Sequence, residues 1–276
     1  MEPFIKWVGG KRQLLSKIKE TMPPSYNRYF EPFLGGGALL FEITPESAVV
    51  GDFNKALIET YRHVACNPSK VLHWLKALDD KHNDAMDGKQ NYVQIRQEFN
   101  LRKLQCEGSS CKDAAMFIWL NKHCFNGLYR ENRKGEFNVP YNNKKSGRSI
   151  EDPMNFHLVA EYLGNHVDIK CADFEETCRD AQAGDFVFFD SPYAPLNPTS
   201  FVSYTKEGFS YDDHIRLSKV FKNLDSQGVK CMLTNHNTEF INSLYSDFNL
   251  RVVEARRSVN CKADGRKGQE VIITNY

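Results

Sequence analysis

Much is excluded by what this sequence lacks. Its eight cysteines form no Cys-x-x-Cys pair and no repeated zinc-like spacing, so no metal site is indicated. No uncharged apolar stretch is long enough to span a bilayer. Met1-Glu2-Pro3-Phe4-Ile5-Lys6-Trp7 carries no secretory pattern. These absences predict a cytoplasmic protein with reduced thiols and no membrane partner. The glycines form neither the dinucleotide fingerprint nor a Gly-Lys-Ser/Thr phosphate loop. There is no internal repeat and no low-complexity tract. A net charge of only +1 excludes a uniformly basic surface. Basic residues nevertheless cluster at Arg130/Arg133/Lys134, Lys144/Lys145/Arg148, Arg256/Arg257 and Lys262/Arg266/Lys267. These stretches read as loops, where phosphate contact is favoured.

What is present fits a folded α/β chain. At 276 residues and 41% hydrophobic, it can bury a sizeable core. Strands are expected at Arg28 to Pro32, Ala48 to Gly51, Val167 to Cys171, Phe186 to Asp190 and Lys230 to Leu233. Leu250 to Ala255 and Glu270 to Thr274 read as a closing antiparallel pair. Helices are expected from Lys11 to Glu20, Gly37 to Ile43, Asn54 to Cys66, Asp212 to Leu224 and Thr238 to Phe248. Between about Pro68 and Lys122 the pattern is helical throughout. Val71, Leu72, Leu75 and Leu78 form one apolar face, and Met116, Phe117, Trp119 and Leu120 another. Phe125 to Tyr141 reads as a polar loop with a hairpin. The simplest organisation is an α/β sheet domain from residues 1–55 and 151–276, interrupted by a mainly helical insertion at 56–150.

Four stretches carry chemistry. Asp190-Ser191-Pro192-Tyr193 follows the apolar strand Phe186-Val187-Phe188-Phe189, placing a carboxylate, a stiff turn and a ring at a strand's carboxyl end. The carboxylate can accept from an exocyclic amine, and the ring can stack on a flat base. An ordinary turn is the plain alternative. Phe30-Glu31-Pro32-Phe33-Leu34-Gly35-Gly36-Gly37 puts three glycines between a strand and a helix, where backbone can approach a ligand and the helix start favours an anion. Asp52 ends the next strand and suits the two hydroxyls of a ribose, or else caps the following helix. Phe4 to Lys11 sets Trp7, two glycines and Lys11 before a helix, a combination suited to a carboxylate. Asp173-Phe174 follows another strand. It offers an acceptor beside a ring, suited to adenine, or a second helix cap.

Taken in order, these residues resemble the Dam-type DNA adenine-N6 methyltransferases, the S-adenosylmethionine enzymes usually directed at GATC. The resemblance runs nearly the whole chain. It rests on Phe4 to Lys11, Phe30 to Gly37, Asp52, Asn126-Gly127-Leu128-Tyr129-Arg130, Gly135 to Pro140, Asp190 to Tyr193, Phe201 to Phe209 and Thr234-Asn235-His236. It implies a Rossmann-like methyltransferase sheet with an inserted target-recognition region that contacts double-stranded DNA. Trp7, Lys11, Phe33, Gly35, Gly36, Gly37, Asp52, Asp173, Phe174 and Asp190 would hold S-adenosylmethionine. Asp190, Ser191, Pro192 and Tyr193 would handle the target adenine. Lys6, Asn126, Leu128, Arg130 and Pro140 fall in the DNA-reading region, and Phe125 where an aromatic side chain enters the opened duplex. The sequence departs from the family at Ser191, where proline is usual. It departs again after Pro140, where Tyr141-Asn142-Asn143-Lys144-Lys145-Ser146 replaces a Gly-Arg-Tyr-type continuation.

The resemblance further implies base flipping, in-line transfer without metal, and a bacterial or phage nucleoid setting. A cognate restriction endonuclease acting on the same site is a possible partner. Cytosine-N4 or RNA-adenine methylation, or a DNA-binding relative without catalysis, are the alternatives that these motifs leave open.

Overall fold

The computed structural model describes residues 1–7, 14–105, 109–143, 148–196, 209–256 and 267–276. Lys11, Gly9, Gly10, residues 144–147 and all of Phe201 to Phe209 except its last residue lie outside them. In chain order the elements are α1 (Leu15–Thr21), β1 (Tyr29–Glu31), α2 (Ala38–Ile43), β2 (Ala48–Asp52), α3 (Lys55–Cys66), α4 (Pro68–Asn83), α5 (Gly88–Gln105) and α6 (Cys111–His123). There follow α7 (Pro153–His166), β3 (Val167–Cys171), α8 (Phe174–Thr177), β4 (Phe186–Phe189), α9 (Tyr211–Ser226), β5 (Lys230–His236), α10 (Glu239–Leu244), β6 (Asn249–Arg256) and β7 (Lys267–Thr274).

The chain divides into two compact units. Residues 1–10, 35–44 and 52–171 make the first, and residues 11–34, 45–51 and 172–276 the second.

The first unit is mainly helical and is built around α6, which packs against α3, α4 and α5. Every residue of α6 from Ala114 to Asn121 is buried, as expected of a helix that is apolar on all sides. Its start is fixed by a capping box between Ser110 and Asp113. Asp113 is also paired with Arg102 of α5. Val71, Leu75 and Leu78 form the inner face of α4, with Leu72 half-exposed at its margin. Residues Phe125 to Tyr141 make the expected hairpin in irregular form. It opens with a 3₁₀ turn at Phe125–Gly127 and is bridged at Cys124↔Tyr141 and Glu131↔Phe137.

The second unit holds six strands of the sheet, in the order β2-β1-β4-β5-β7-β6. The pairs β2-β1, β1-β4 and β4-β5 are parallel, and β5-β7 and β7-β6 antiparallel. The expected closing pair is therefore present, with β7 inserted between β5 and β6. Parallel strands covered on both faces read as continuous apolar runs. Phe186 to Phe189 is such a run and is fully buried. One core joins Phe30, Val187, Phe189, Leu217, Phe221, Leu233 and Ile273. The helix expected from Thr238 to Phe248 stops at Leu244. There Tyr245 leaves helical geometry and buries its ring against Phe221. The result is a mixed α/β architecture, the fold class expected from sequence.

Candidate active site and nucleic-acid interface

In the second unit, chain order reverses between β1 and β4, which lie side by side. A switch point of this kind opens a crevice at the carboxyl ends of the strands. The residues leaving β1 are Pro32-Phe33-Leu34, and those leaving β4 are Asp190 to Tyr193. Asp190 Oδ1 accepts from Thr234 Oγ1 at 3.1 Å. The Tyr193 hydroxyl donates to Glu270 Oε2 at 2.8 Å, and its ring meets His236 edge-on at 4.8 Å. Burial, then the carboxylates of Asp190 and Glu270, hold the Tyr193 phenol well above its usual range. Tyr193 is therefore neutral and serves as a ring and a donor. Phe33 stacks on Phe174 with centroids 5.4 Å apart, leaving Phe33 half-exposed and Phe174 buried.

Asp173 follows the alternative reading from sequence. Its carboxylate caps α8 through Glu175 N at 3.0 Å. It is also held in a two-pronged pair by Arg216 at 2.7 and 2.8 Å. That pair lowers its pKa below the ordinary carboxylate value. Arg216 also lies over the Phe174 ring at 4.1 Å. Asp173 thus fixes α8 and Arg216, and behind them Phe174.

The first unit gathers the other expected ligand residues. Asp52 does not cap α3. Asn54 does, accepting from Leu57 N at 3.1 Å. Asp52 instead accepts from Gly35 N at 3.0 Å and Asn54 N at 2.9 Å. Burial raises its pKa, opposed by these backbone bonds. The Gly35 carbonyl accepts from the Tyr61 hydroxyl at 3.1 Å. Trp7 lies directly on the glycine loop. A Cβ on Gly35, whose φ is +48°, would stand 2.6 Å from Trp7 Cδ1. Glycine is required here by both conformation and space. Helix α2 is only six residues long.

The expected DNA-reading residues also come together in this unit. Lys6 and the hairpin meet at buried Asn121. Asn121 accepts from Lys6 N at 2.8 Å and donates to the carbonyls of Lys6 and Gly127 at 2.8 and 3.1 Å. Phe125 N donates to Pro140 O at 2.9 Å, which brings the two ends of the hairpin together. Phe125, expected to enter the opened duplex, is 50% exposed. Asn126 sits in left-handed geometry with φ +55°, turning the chain sharply before Leu128. Arg130 is exposed, and its Nε donates to Asn138 Oδ1 at 2.7 Å. Its Nη2 also donates to Asn138 O at 3.4 Å, so both bonds hold the guanidinium against the hairpin's returning arm.

Comparison with known proteins decides what this arrangement belongs to. Residues 7–259 match the D12 class N6 adenine-specific DNA methyltransferases. The chain belongs to that family. It is 43% identical to the type II methyltransferase M1.LlaDCHI of Lactococcus lactis subsp. cremoris, covering 100% of this chain and 96% of the relative. It is equally 43% identical to the type II methyltransferase M.MjaIII of Methanocaldococcus jannaschii, over 100% and 99% of the two chains. A DNA adenine methylase of Vibrio cholerae is 32% identical over 99% of this chain and 95% of its own. The family is adenine-specific and acts on DNA, which sets aside the cytosine-N4 and RNA readings.

The enzyme also uses residues that the sequence analysis did not single out. Tyr92, Arg96, Asn100 and Lys103 form a stripe along α5, and each reaches the backbone of the hairpin's returning arm. Tyr92 and Arg96 donate to Val139 O at 2.8 and 3.2 Å. Asn100 pairs with both N and O of Phe137, and Lys103 donates to Gly135 O at 2.8 Å. The spacing of 4, 4 and 3 residues is one helix face. It went unnoticed because it is polar, while periodicity is sought in apolar residues. Among the described residues, no group of three or more His, Cys, Asp or Glu side chains could hold a metal, and no helix is long and apolar enough to cross a membrane.

Proposed function

We infer that the enzyme methylates adenine N6 within GATC in duplex DNA, using S-adenosylmethionine and flipping the target base. The observation that carries this reading is the Asp190 to Tyr193 turn, set at the carboxyl end of β4 beside the loop that leaves β1. When bound, S-adenosylmethionine supplies an electrophilic methyl group. The residues present fit that cofactor. The Gly35 to Gly37 turn is packed on one side by Trp7 and Phe41, Asp52 is a partly buried carboxylate suited to a ribose, and Phe33 offers a half-exposed apolar face. Trp7 backs the glycine loop, and Asp173 supports Phe174 through α8. Lys11 keeps its sequence-based role near the ligand carboxylate.

A flipped adenine costs roughly a few kcal/mol to extrude, and stacking on an aromatic ring offsets part of this. Tyr193 supplies that ring. Asp190 and the backbone carbonyl of Ser191 accept the two amine hydrogens, drawing the lone pair out of conjugation. The nitrogen then becomes cationic beside the Asp190 carboxylate, which stabilises it. Pro192 stiffens the turn between these groups. Lys6, Asn126, Leu128, Arg130 and Pro140 read the target, and Phe125 fills the gap that the flipped base leaves. Residues 56–150 serve as the target-recognition region, and 1–55 with 151–276 as the catalytic one. The type II names of two relatives support a role beside an endonuclease acting on the same site.

Transfer of labelled methyl to two duplexes tests this, one with a single GATC and one with that site scrambled. Label on adenine N6 of the GATC duplex alone is the expected result. Label on both duplexes, or on neither, rejects the GATC assignment. Cofactor binding without transfer to any adenine-containing DNA would favour the non-catalytic reading.

A further inference from the structure

The Thr234-Asn235-His236 stretch has no place in the mechanism above, yet it is placed against the reactive turn. Pairing between β4 and β5 ends at Phe189↔Leu233. Strand β5 continues three residues beyond that point. Its other edge stays paired with β7 through Thr234↔Ile272, Asn235↔Val271 and His236↔Glu270. The overhang is thus held rigid from one side while its free side faces residues 190–194.

Each overhanging residue bonds that turn. Thr234 Oγ1 donates to Asp190 Oδ1 at 3.1 Å. Asn235 Nδ2 donates to Ser191 Oγ at 3.4 Å, and Asn235 Oδ1 accepts from Ala194 N at 2.9 Å. His236 Nδ1 donates to Ala194 O at 2.7 Å, since a carbonyl can only accept. Asn235 is 0% exposed and Ser191 2% exposed, so their bond is shielded from water. Asn235 alone grips both sides of the reactive segment, at Ser191 and at Ala194.

We propose that Asn235 is a positioning residue for methyl transfer, and that the Ser191 hydroxyl replaces the rigidity of the missing proline by bonding to it. This rests on the catalytic role given to Asp190 to Tyr193. The Ser191 carbonyl is an amine acceptor there, so a rotation of this peptide misplaces it. Proline fixes φ through its ring. Serine has no such restraint, and the Asn235 amide supplies one through space. On this geometry, restoring proline at 191 is expected to give no gain. The ring has no oxygen for Asn235 Nδ2, which would be left buried without a partner.

The test is the single-turnover rate of labelled methyl transfer to unmethylated genomic DNA, which contains every short target sequence. Dissociation constants for S-adenosylmethionine and DNA, and melting curves, are measured alongside. Asn235→Ala is expected to slow transfer about 100-fold, the effect of misplacing reacting groups. Both dissociation constants should stay within about two-fold, the mark of an interaction used in the reacting state. Ser191→Ala should lose roughly five-fold, about one hydrogen bond. Ser191→Thr, which keeps the hydroxyl, should recover most of that loss. The double variant should be no slower than Asn235→Ala, because the two residues act as one unit.

An Asn235→Ala protein that melts and turns over like wild type overturns the proposal. So does a double variant whose loss is the product of the single losses. If Asn235→Ala fails to fold, the Ser191 pair decides, and equal rates for Ala and Thr overturn it. A wild-type protein that methylates no DNA rejects the activity and this proposal together. An active wild type with indifferent variants rejects only the proposal.

Discussion

Trp7 stacks on Tyr129, with ring centroids 5.9 Å apart and planes 21° from parallel. Trp7 also backs the glycine loop, and Tyr129 lies in the hairpin between Leu128 and Arg130. One stacked pair therefore joins the proposed cofactor loop to the proposed DNA-reading element. Tyr129→Leu should weaken S-adenosylmethionine binding roughly 3- to 10-fold, the worth of an aromatic pair beyond its area. Tyr129→Phe keeps the ring and should lose little. Calorimetric titration of the two variants checks this, and equal affinities would separate Tyr129 from the cofactor.

Asn100 holds Phe137 by both of its backbone groups. Asn100→Ala leaves them without that partner and should lower unfolding stability by about 1–3 kcal/mol. The looser hairpin should also discriminate less between GATC and single-mismatch duplexes. Urea unfolding and competition methylation measure the two effects. A stability loss with unchanged discrimination would show that the hairpin is held by its other bonds.

Arg130 is held by Asn138. Arg130→Ala should lose about 1–3 kcal/mol of discrimination at one guanine while leaving other positions unaffected. Asn138→Ala should reproduce part of that loss with the arginine still present. Equal weakening on every sequence would make Arg130 a phosphate contact.

Two buried histidines should contribute to the acid limb of stability. Burial pushes His123 and His214 down to about 4, against about 6.5 in an unfolded chain. Between those values the unfolded chain binds more protons, so stability rises with pH. Stability should therefore fall as pH drops below about 6.5, with the full loss reached near 4. His123→Asn should flatten this slope by removing one of the two groups. Unfolding free energies at pH 7, 6 and 5 test it. A variant with an unchanged slope would show that His123 does not titrate with folding.

The sheet was legible because its inner strands are simple. The apolar run Phe186 to Phe189 reads as a buried strand, and Leu250 to Ala255 with Glu270 to Thr274 as a closing antiparallel pair. Asp190 to Tyr193 was legible as the turn that closes a buried strand, and only the ordered resemblance to a methyltransferase family gave it a chemical role. Asp52 and Asp173 could not be told apart by sequence. Each follows a strand and precedes a helix, yet only Asp173 caps one. Asn54 takes that duty from Asp52, and Arg216, 43 residues further on, takes up Asp173. Helix α7 carried its own start signal in Asp152, which caps it, and Pro153 in its first turn. The α5 stripe and the Asn235 bonds were not legible. They are polar contacts to backbone atoms distant in sequence, and no local pattern announces them.

Five bonds from α5 end on peptide groups of the hairpin, at Gly135, Phe137 and Val139, and only Lys103 adds a side-chain ion pair, with the Glu131 carboxylate, among the described residues. A peptide group is the same whatever side chain it carries. The hairpin's shape is therefore indifferent to the identity of the residues that point away from α5. Those residues can be exchanged for others with a different base preference while the scaffold stays as it is. If the hairpin reads DNA as proposed, what is recognised can drift independently of what holds the reader in place.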